Sequence, residues 1–143
     1  MTISIRVPTE KEISKRSVTL QVARAGAAWS NDFLEGLARE SGVYVHTLRD
    51  KVMYVGKTTR GAYGNFGERL RRECHEKPAQ NSFLFKQLIK AKGARVSCFP
   101  ISAIRRWVNL DRPDEHLALL FERTLISVYQ PEWNRDVRPR RQA

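Results

Sequence analysis

Three residues in this chain are explained least by a purely structural role: Glu122, Tyr44 and Tyr54. If the stretch around Glu122 is helical, the positions three, four and seven away are Glu115, Ala118, Leu119, Leu125, Ile126 and Tyr129. All of these except Glu115 are apolar or aromatic. Glu122 thus takes a place where leucine would ordinarily serve. A carboxylate buried there is costly unless a cation or a metal compensates it. A buried salt bridge, a helix-edge position and a metal ligand all satisfy that condition. Tyr44 and Tyr54 each have a glycine two residues away, in Gly42-Val43-Tyr44 and Tyr54-Val55-Gly56. Tyrosine suits a strand, so a cross-strand aromatic pair is one reading. The glycines fit close approach of backbone or ligand, and equally simple bulges.

The elements that must position these residues follow from periodicity. Residues 42–48 and 52–57 are β-rich runs separated by Arg49-Asp50-Lys51, a hairpin-like spacing. Phe66, Leu70 and Cys74 recur every fourth residue and predict a helix that Pro78 ends. Asn81 can cap a second helix carrying Phe85, Leu88 and Ile89, stopped at Gly93. Val96 and Cys98 mark a third strand, and residues 101–113 are ambiguous, with Ile104 and Val108 suggesting a helical turn. Asp114 or Asp111 can cap a long helix through Tyr129, closed by Pro131. The order β-β-α-α-β-α predicts an α+β fold with a small, mainly antiparallel three-stranded sheet flanked by helices. Residues 1–41 read as an N-terminal extension packing on the 42–134 domain. Ile3, Ile5 and Val7, and again Val18, Leu20 and Val22, alternate as short strands would. Residues 135–143 form a basic tail.

The chain has 143 residues, of which 41% are hydrophobic, enough for one domain with a core and too many for wholesale disorder. Against 26 Lys and Arg stand 15 Asp and Glu, a formal charge of +11, with an isoelectric point near 10.3. Such an excess suits a polyanion, nucleic acid first and an anionic membrane second. No apolar run approaches the roughly 20 residues needed to span a bilayer. The opening residues lack the basic-then-apolar pattern of a secretory signal. Cys74 and Cys98 are only two and lack metal-binding spacing, so neither a disulfide framework nor a zinc site is expected, and the location expected is cytoplasmic.

Gly42-Val43-Tyr44 followed by Tyr54-Val55-Gly56-Lys57 resembles the double motif of the GIY-YIG endonucleases. The resemblance continues in order through residues 42–134. Phe66-Gly67-Glu68-Arg69-Leu70 is similar to the helix bearing the family's arginine, Glu122 falls where its catalytic glutamate is expected, and Asn134 resembles its closing asparagine. Short patterns arise by chance, but five in the right order on the right elements are far more specific. The resemblance implies hydrolysis of a DNA phosphodiester with one divalent ion, Mg²⁺, held by Glu122. It further implies that Arg69 neutralises charge on the phosphate. Tyr44, with Tyr54 close by, would orient or deprotonate the attacking water. A phenol ordinarily titrates near pH 10, so a tyrosine base needs help, for which Lys57 resembles the assisting lysine of some restriction-type relatives. Asn134 would support the site by hydrogen bonding.

Many relatives carry His or Tyr four residues after the arginine, whereas this chain has Glu73 there. Arg71 and His75 share that spacing and are the alternative pair. Glu73 otherwise reads as an exposed i,i+4 partner of Arg69, and His46 and His116 as surface residues. Arg71, Arg72, Arg105 and Arg106, with Arg135, Arg138, Arg140 and Arg141, read as contacts to a DNA backbone, while Trp107 and Trp133 read as core. The loop 59–67 has the glycine content to lie along a DNA groove. The expectation is therefore a restriction-like or phage-like endonuclease, possible as a homodimer because two strands need two sites. A catalytically inactive nucleic-acid-binding module on the same scaffold is the alternative.

Overall fold

A computed structural model of the chain describes residues 4–22, 30–58, 64–74 and 82–134, and a hairpin lies at its centre. Strands β3 (Gly42–Leu48) and β4 (Lys51–Lys57) are joined by Arg49 and Asp50, both at positive φ (51° and 64°), so the turn takes two residues. Pairing is regular from Val43↔Lys57 to His46↔Tyr54, then shifts to Thr47↔Val52, leaving Met53 as an extra, bulged residue. Strand β5 (Arg95–Pro100) pairs antiparallel with the other side of β3.

The sheet has four strands rather than the three expected from sequence. Its order is β2-β5-β3-β4, the fourth member being β2 (Val18–Thr19) from the N-terminal segment. A further two-stranded ribbon joins β1 (Ser4–Ile5) to β6 (Val108–Asn109). Both pieces are two residues long, so their pairing comes from tertiary contact and not from an extended alternating run.

Helices cover both faces. The face of Tyr44, Val96 and Cys98 packs on α2 (Phe66–Cys74) and α3 (Ser82–Ala91), with Phe66, Leu70, Cys74, Leu84 and Leu88 buried against it. The face of Val43, Val45, Val55 and Phe99 packs on α4 (Ile101–Trp107) and α5 (Asp114–Tyr129) through Ile104, Leu117, Phe121 and Leu125. The ambiguous 101–113 region is thus a short helix followed by β6. Helix α5 begins after Pro113, so Asp114 is its first residue and not its cap. The charged stretch at the N-terminus folds as α1 (Glu10–Lys15), closed by a reciprocal capping box between Thr9 and Glu12, with Ile13 fully buried under the sheet.

Among the described residues no helix is long and apolar enough to cross a membrane. Several features read from the sequence lie outside them: Ile3, the Asn81 cap, the Pro78 stop, His75, most of the 59–67 loop, and the tail arginines.

Candidate active site

The site has a buried floor and a partly exposed rim. Tyr44 belongs to the floor, and no part of its surface reaches solvent. It stands across the strand pair from Gly56, where a Cβ would fall 2.4 Å from both the Tyr44 hydroxyl and Cζ. Glycine at 56 is therefore what lets the phenol lie over β4. The Tyr44 hydroxyl donates to Glu73 Oε2. Arg69 Nε donates to that same oxygen at 3.1 Å and to the Tyr44 hydroxyl at 3.4 Å. The Tyr54 ring lies beside Tyr44 with centroids 6.2 Å apart. Tyr54 is partly exposed, so it, and not Tyr44, meets the opening.

Glu73 differs from the sequence expectation. The i,i+4 pair with Arg69 forms, but on a carboxylate that is 1% exposed. Glu73 lies three residues beyond Leu70 and seven beyond Phe66, on the apolar stripe of α2, which is the signal that could have placed it inside. Burial pushes its pKa up to about 7, against the opposing pull of hydrogen bonds from Tyr44 and Arg69 and the Arg69 charge. Burial and the Glu73 charge hold the Tyr44 phenol well above its usual range, and the same two causes raise Tyr54.

Glu122 stands on the rim. It is half-buried, not enclosed as its leucine-like position suggested, because α5 turns Leu117, Ala118, Phe121 and Leu125 to the sheet and leaves Glu122 at the border. Its carboxylate makes no hydrogen bond or ion pair among the described residues. Partial burial raises its pKa, while the charges of Lys57, Arg123 and Arg69 oppose the rise. Its own charge is felt by Tyr54. Lys57 and Arg69 thus act on Glu122, and Glu122 and Arg69 act on Tyr54, across the β4 edge. Strand alternation places Lys57 on the α5 side, next to Glu122 and away from Tyr44.

No group of three or more metal-ligating side chains occurs among the described residues. One free carboxylate is nevertheless the donor set that suits magnesium bound largely by water and substrate phosphate, which takes only one or two carboxylates from a protein. Glu122 fits that requirement.

Asn134 closes the edge of the sheet. Its Oδ1 accepts the Val55 N–H at 2.8 Å, and its Nδ2 donates to the Val55 carbonyl at 2.7 Å. With the Trp133 N–H bonded to the Met53 carbonyl at 2.8 Å, residues 133–134 satisfy the outer side of β4 as a strand would. Asn134→Ala leaves two buried backbone groups of Val55 unpaired. The expected loss is about 2–4 kcal/mol in urea denaturation, since each orphaned group costs about 1–3 kcal/mol. A loss below about 0.5 kcal/mol would contradict this clamp.

His46 is fully buried and not a surface residue, because β3 is a central strand covered on both faces. Its ring lies 5.6 Å from both Tyr44 and Tyr54, and neither nitrogen has a hydrogen-bond partner. Burial lowers its pKa to about 3. The unfolded chain protonates near pH 6.5 and the folded chain only near 3, so this residue's contribution to stability is lost as pH falls through that window. Glu73 acts in the opposite sense, contributing stability below about 4.5 that is lost as pH rises through about 7. His46→Phe is expected to raise stability at pH 7 by about 1–2 kcal/mol and to flatten the decline between pH 6.5 and 4. Urea midpoints measured across that range check both effects. Lower stability at pH 7 with an unchanged decline would refute the assignment.

Of the arginines read as backbone contacts, the four among the described residues do not share a face. Arg71 and Arg72 are on α2, and Arg71 pairs with Glu68 at 3.1 Å. Arg105 and Arg106 are on α4, across the sheet, with Arg105 paired to Asp114 and Arg106 exposed. Trp133 is buried and Trp107 half-buried, its ring covered by Arg6 at 4.3 Å.

No protein-family model and no curated protein matches this chain. Among solved structures it is similar to the GIY-YIG N-terminal endonuclease domain of UvrC from Thermotoga maritima bound to its catalytic divalent cation, magnesium. Identity is 19%, over 74% of this chain and 99% of that one, with a TM-score of 0.45. The likeness is to a GIY-YIG endonuclease domain. A tyrosine-to-phenylalanine point mutant of the same domain, bound to its catalytic divalent cation, is similar at 20% identity over 74% of this chain and 98% of that one, TM-score 0.45.

Proposed function

We propose that this chain is a metal-dependent DNA endonuclease of the GIY-YIG type, restriction-like or phage-like and working in the cytoplasm. The observation that carries the reading is the unpartnered Glu122 carboxylate, held partly out of water on the same rim as Arg69, Lys57 and Tyr54. A carboxylate without a counter-ion among cations is a poor structural device and a good seat for a divalent ion beside a phosphate.

In this reading Glu122 holds Mg²⁺. When bound, the ion supplies Lewis-acid polarisation of a phosphate oxygen and charge stabilisation of the departing 3′-oxygen. Arg69, 37% exposed in its side chain, grips the phosphate oxygens and neutralises charge developing at phosphorus. Lys57 orients the same phosphate or the attacking water from the α5 side. Tyr54 meets that water, with Tyr44 behind it. Asn134 holds β4, and with it Tyr54 and Lys57, in place. Arg71 and Arg72 extend the phosphate contacts along α2. Arg105 and Arg106 serve DNA wrapped around the opposite face or presented by a second copy, and a homodimer supplies the second cut of a duplex.

Supercoiled plasmid incubated with the protein is expected to be nicked or linearised in Mg²⁺ and left intact in EDTA. Intact plasmid in Mg²⁺ across many sequence contexts would contradict the reading. Tight DNA binding without nicking or metal dependence is the result expected of an inactive binding module.

A further inference from the structure

The floor of the site holds a buried carboxylate for which the reading above has no use. Glu73 Oε2 accepts from Tyr44 and from Arg69, while Oε1 is buried with no hydrogen-bond partner. An anion with one oxygen solvated by nothing is destabilised relative to its protonated form, so this carboxylate is an unusually willing proton acceptor. An acid placed here only to hold Arg69 would gain from satisfying both oxygens. Tyr44 cannot meet bulk water, and its hydroxyl points inward at Glu73. Tyr54 is partly exposed, and its ring lies beside that of Tyr44 with centroids 6.2 Å apart.

We infer that Tyr54, Tyr44 and Glu73 form an inward proton relay in which Glu73 is the terminal acceptor for the proton of the attacking water. The inference rests on the nuclease reading and deepens it. As the water oxygen bonds to phosphorus and the P–O3′ bond breaks, one water proton moves to the Tyr54 oxygen. The Tyr54 proton moves to Tyr44, and the Tyr44 proton moves to Glu73 Oε2. Each phenol ends as it began, Glu73 ends as a neutral acid, and the departing 3′-oxygen keeps the bond pair and takes a proton from solvent. Both phenols are held above their ordinary range, so neither is a base alone near neutrality, whereas a carboxyl near 7 is matched to ambient pH. The titratable or charged groups acting on this carboxyl are Tyr44 from β3, Tyr54 from β4, and Arg69 and Cys74 on its own helix. To the same core α3 presents the apolar Leu84 and Leu88. Glu73 acts through Tyr44 and touches no substrate.

The test compares Mg²⁺-dependent plasmid cleavage by the wild type, Glu73→Gln, Tyr44→Phe and the double variant from pH 5.5 to 9. Wild-type kcat is expected to rise with pH through about 7, because the acceptor must be ionised. Each single variant is expected to lose about 100-fold in kcat with KM unchanged, the scale of one general-base step. The double variant should lose no more than either single, since all interrupt one path. Glu73→His should recover part of the rate, with the limb moved toward the imidazole range. Wild-type rate, or an unmoved limb, in Glu73→Gln overturns the relay while leaving the nuclease reading intact. A wild type that never cleaves overturns both. A second readout needs no activity: in protein carrying ¹³Cζ-tyrosine, the Tyr44 resonance should titrate near pH 7 and cease to do so in Glu73→Gln. A flat wild-type resonance between pH 5.5 and 8.5 also overturns the relay.

Discussion

Glu122→Ala is expected to reduce DNA cleavage at least roughly 1,000-fold while leaving the fold intact. In the proposed chemistry this side chain is the protein's one direct hold on the metal. Losing a metal's several kcal/mol of transition-state stabilisation corresponds to three or more powers of ten in rate. Stability should move the other way or not at all. The carboxylate makes no hydrogen bond or ion pair among the described residues, and partial burial penalises its charge. Removing it therefore deletes a desolvated anion without orphaning a partner. Initial nicking rates on supercoiled plasmid, paired with thermal melts, measure both effects. An inactive variant that melts at or above the wild type is the expected result. Cleavage within tenfold of wild type would remove Glu122 from the site. A collapse in melting temperature would show it to be structural.

Gly56→Ala is expected to injure both fold and chemistry by moving one ring. The added methyl group would sit 2.4 Å from the Tyr44 hydroxyl, a distance real contacts do not tolerate. Backbone in a paired strand cannot retreat, so the phenol must swing off β4 and away from Glu73 and Arg69. Strain and repacking of this size cost about 1–3 kcal/mol. Breaking the Tyr44–Glu73 bond should add about a 100-fold loss in rate, as for one proton-transfer step. Gly42→Ala makes an instructive partner. Its β-carbon would fall 2.0 Å from the Phe99 backbone carbonyl oxygen, and no rotamer moves a β-carbon. It should destabilise at least as much as Gly56→Ala, by opening the β3–β5 pairing at that end. Urea midpoints give the order. Wild-type stability and rate in Gly56→Ala would mean that glycine serves there only as a strand residue.

The contrast between these residues and those misplaced from sequence has a physical basis. The hairpin, α2, α3, β5 and α5 were legible because each carries its own periodicity and its own breaks. The fourth strand and the β1–β6 ribbon were not, since a two-residue strand has no period and exists only through its partner. Tyr44, Tyr54 and Arg69 could be grouped in advance only through the resemblance of their motifs to a known family, and the structure brings Tyr44 and Arg69 within 3.4 Å. For Glu122 the helical neighbours leave a buried salt bridge and a helix-edge position both open. Neighbours along a helix do not reveal where the sheet beneath it ends, and the residue proves to be at that border. His46 and Glu73 depart from their expected surface positions for one shared reason. Their polar type points to solvent, whereas their places on β3 and on the α2 stripe turn both to the core. Such residues conflict with their surroundings, and conflicts of this kind concentrate where chemistry is done.

Cleavage by the proposed chemistry requires a divalent ion against Glu122. Crystals of the protein soaked in Mn²⁺, with data collected at the manganese absorption edge, read that position directly. A single anomalous peak within bonding distance of the Glu122 carboxylate, on the rim it shares with Arg69 and Tyr54 and lost in Glu122→Ala, is the result expected. A peak elsewhere, or none in protein that still cleaves DNA under the same metal concentration, would contradict it.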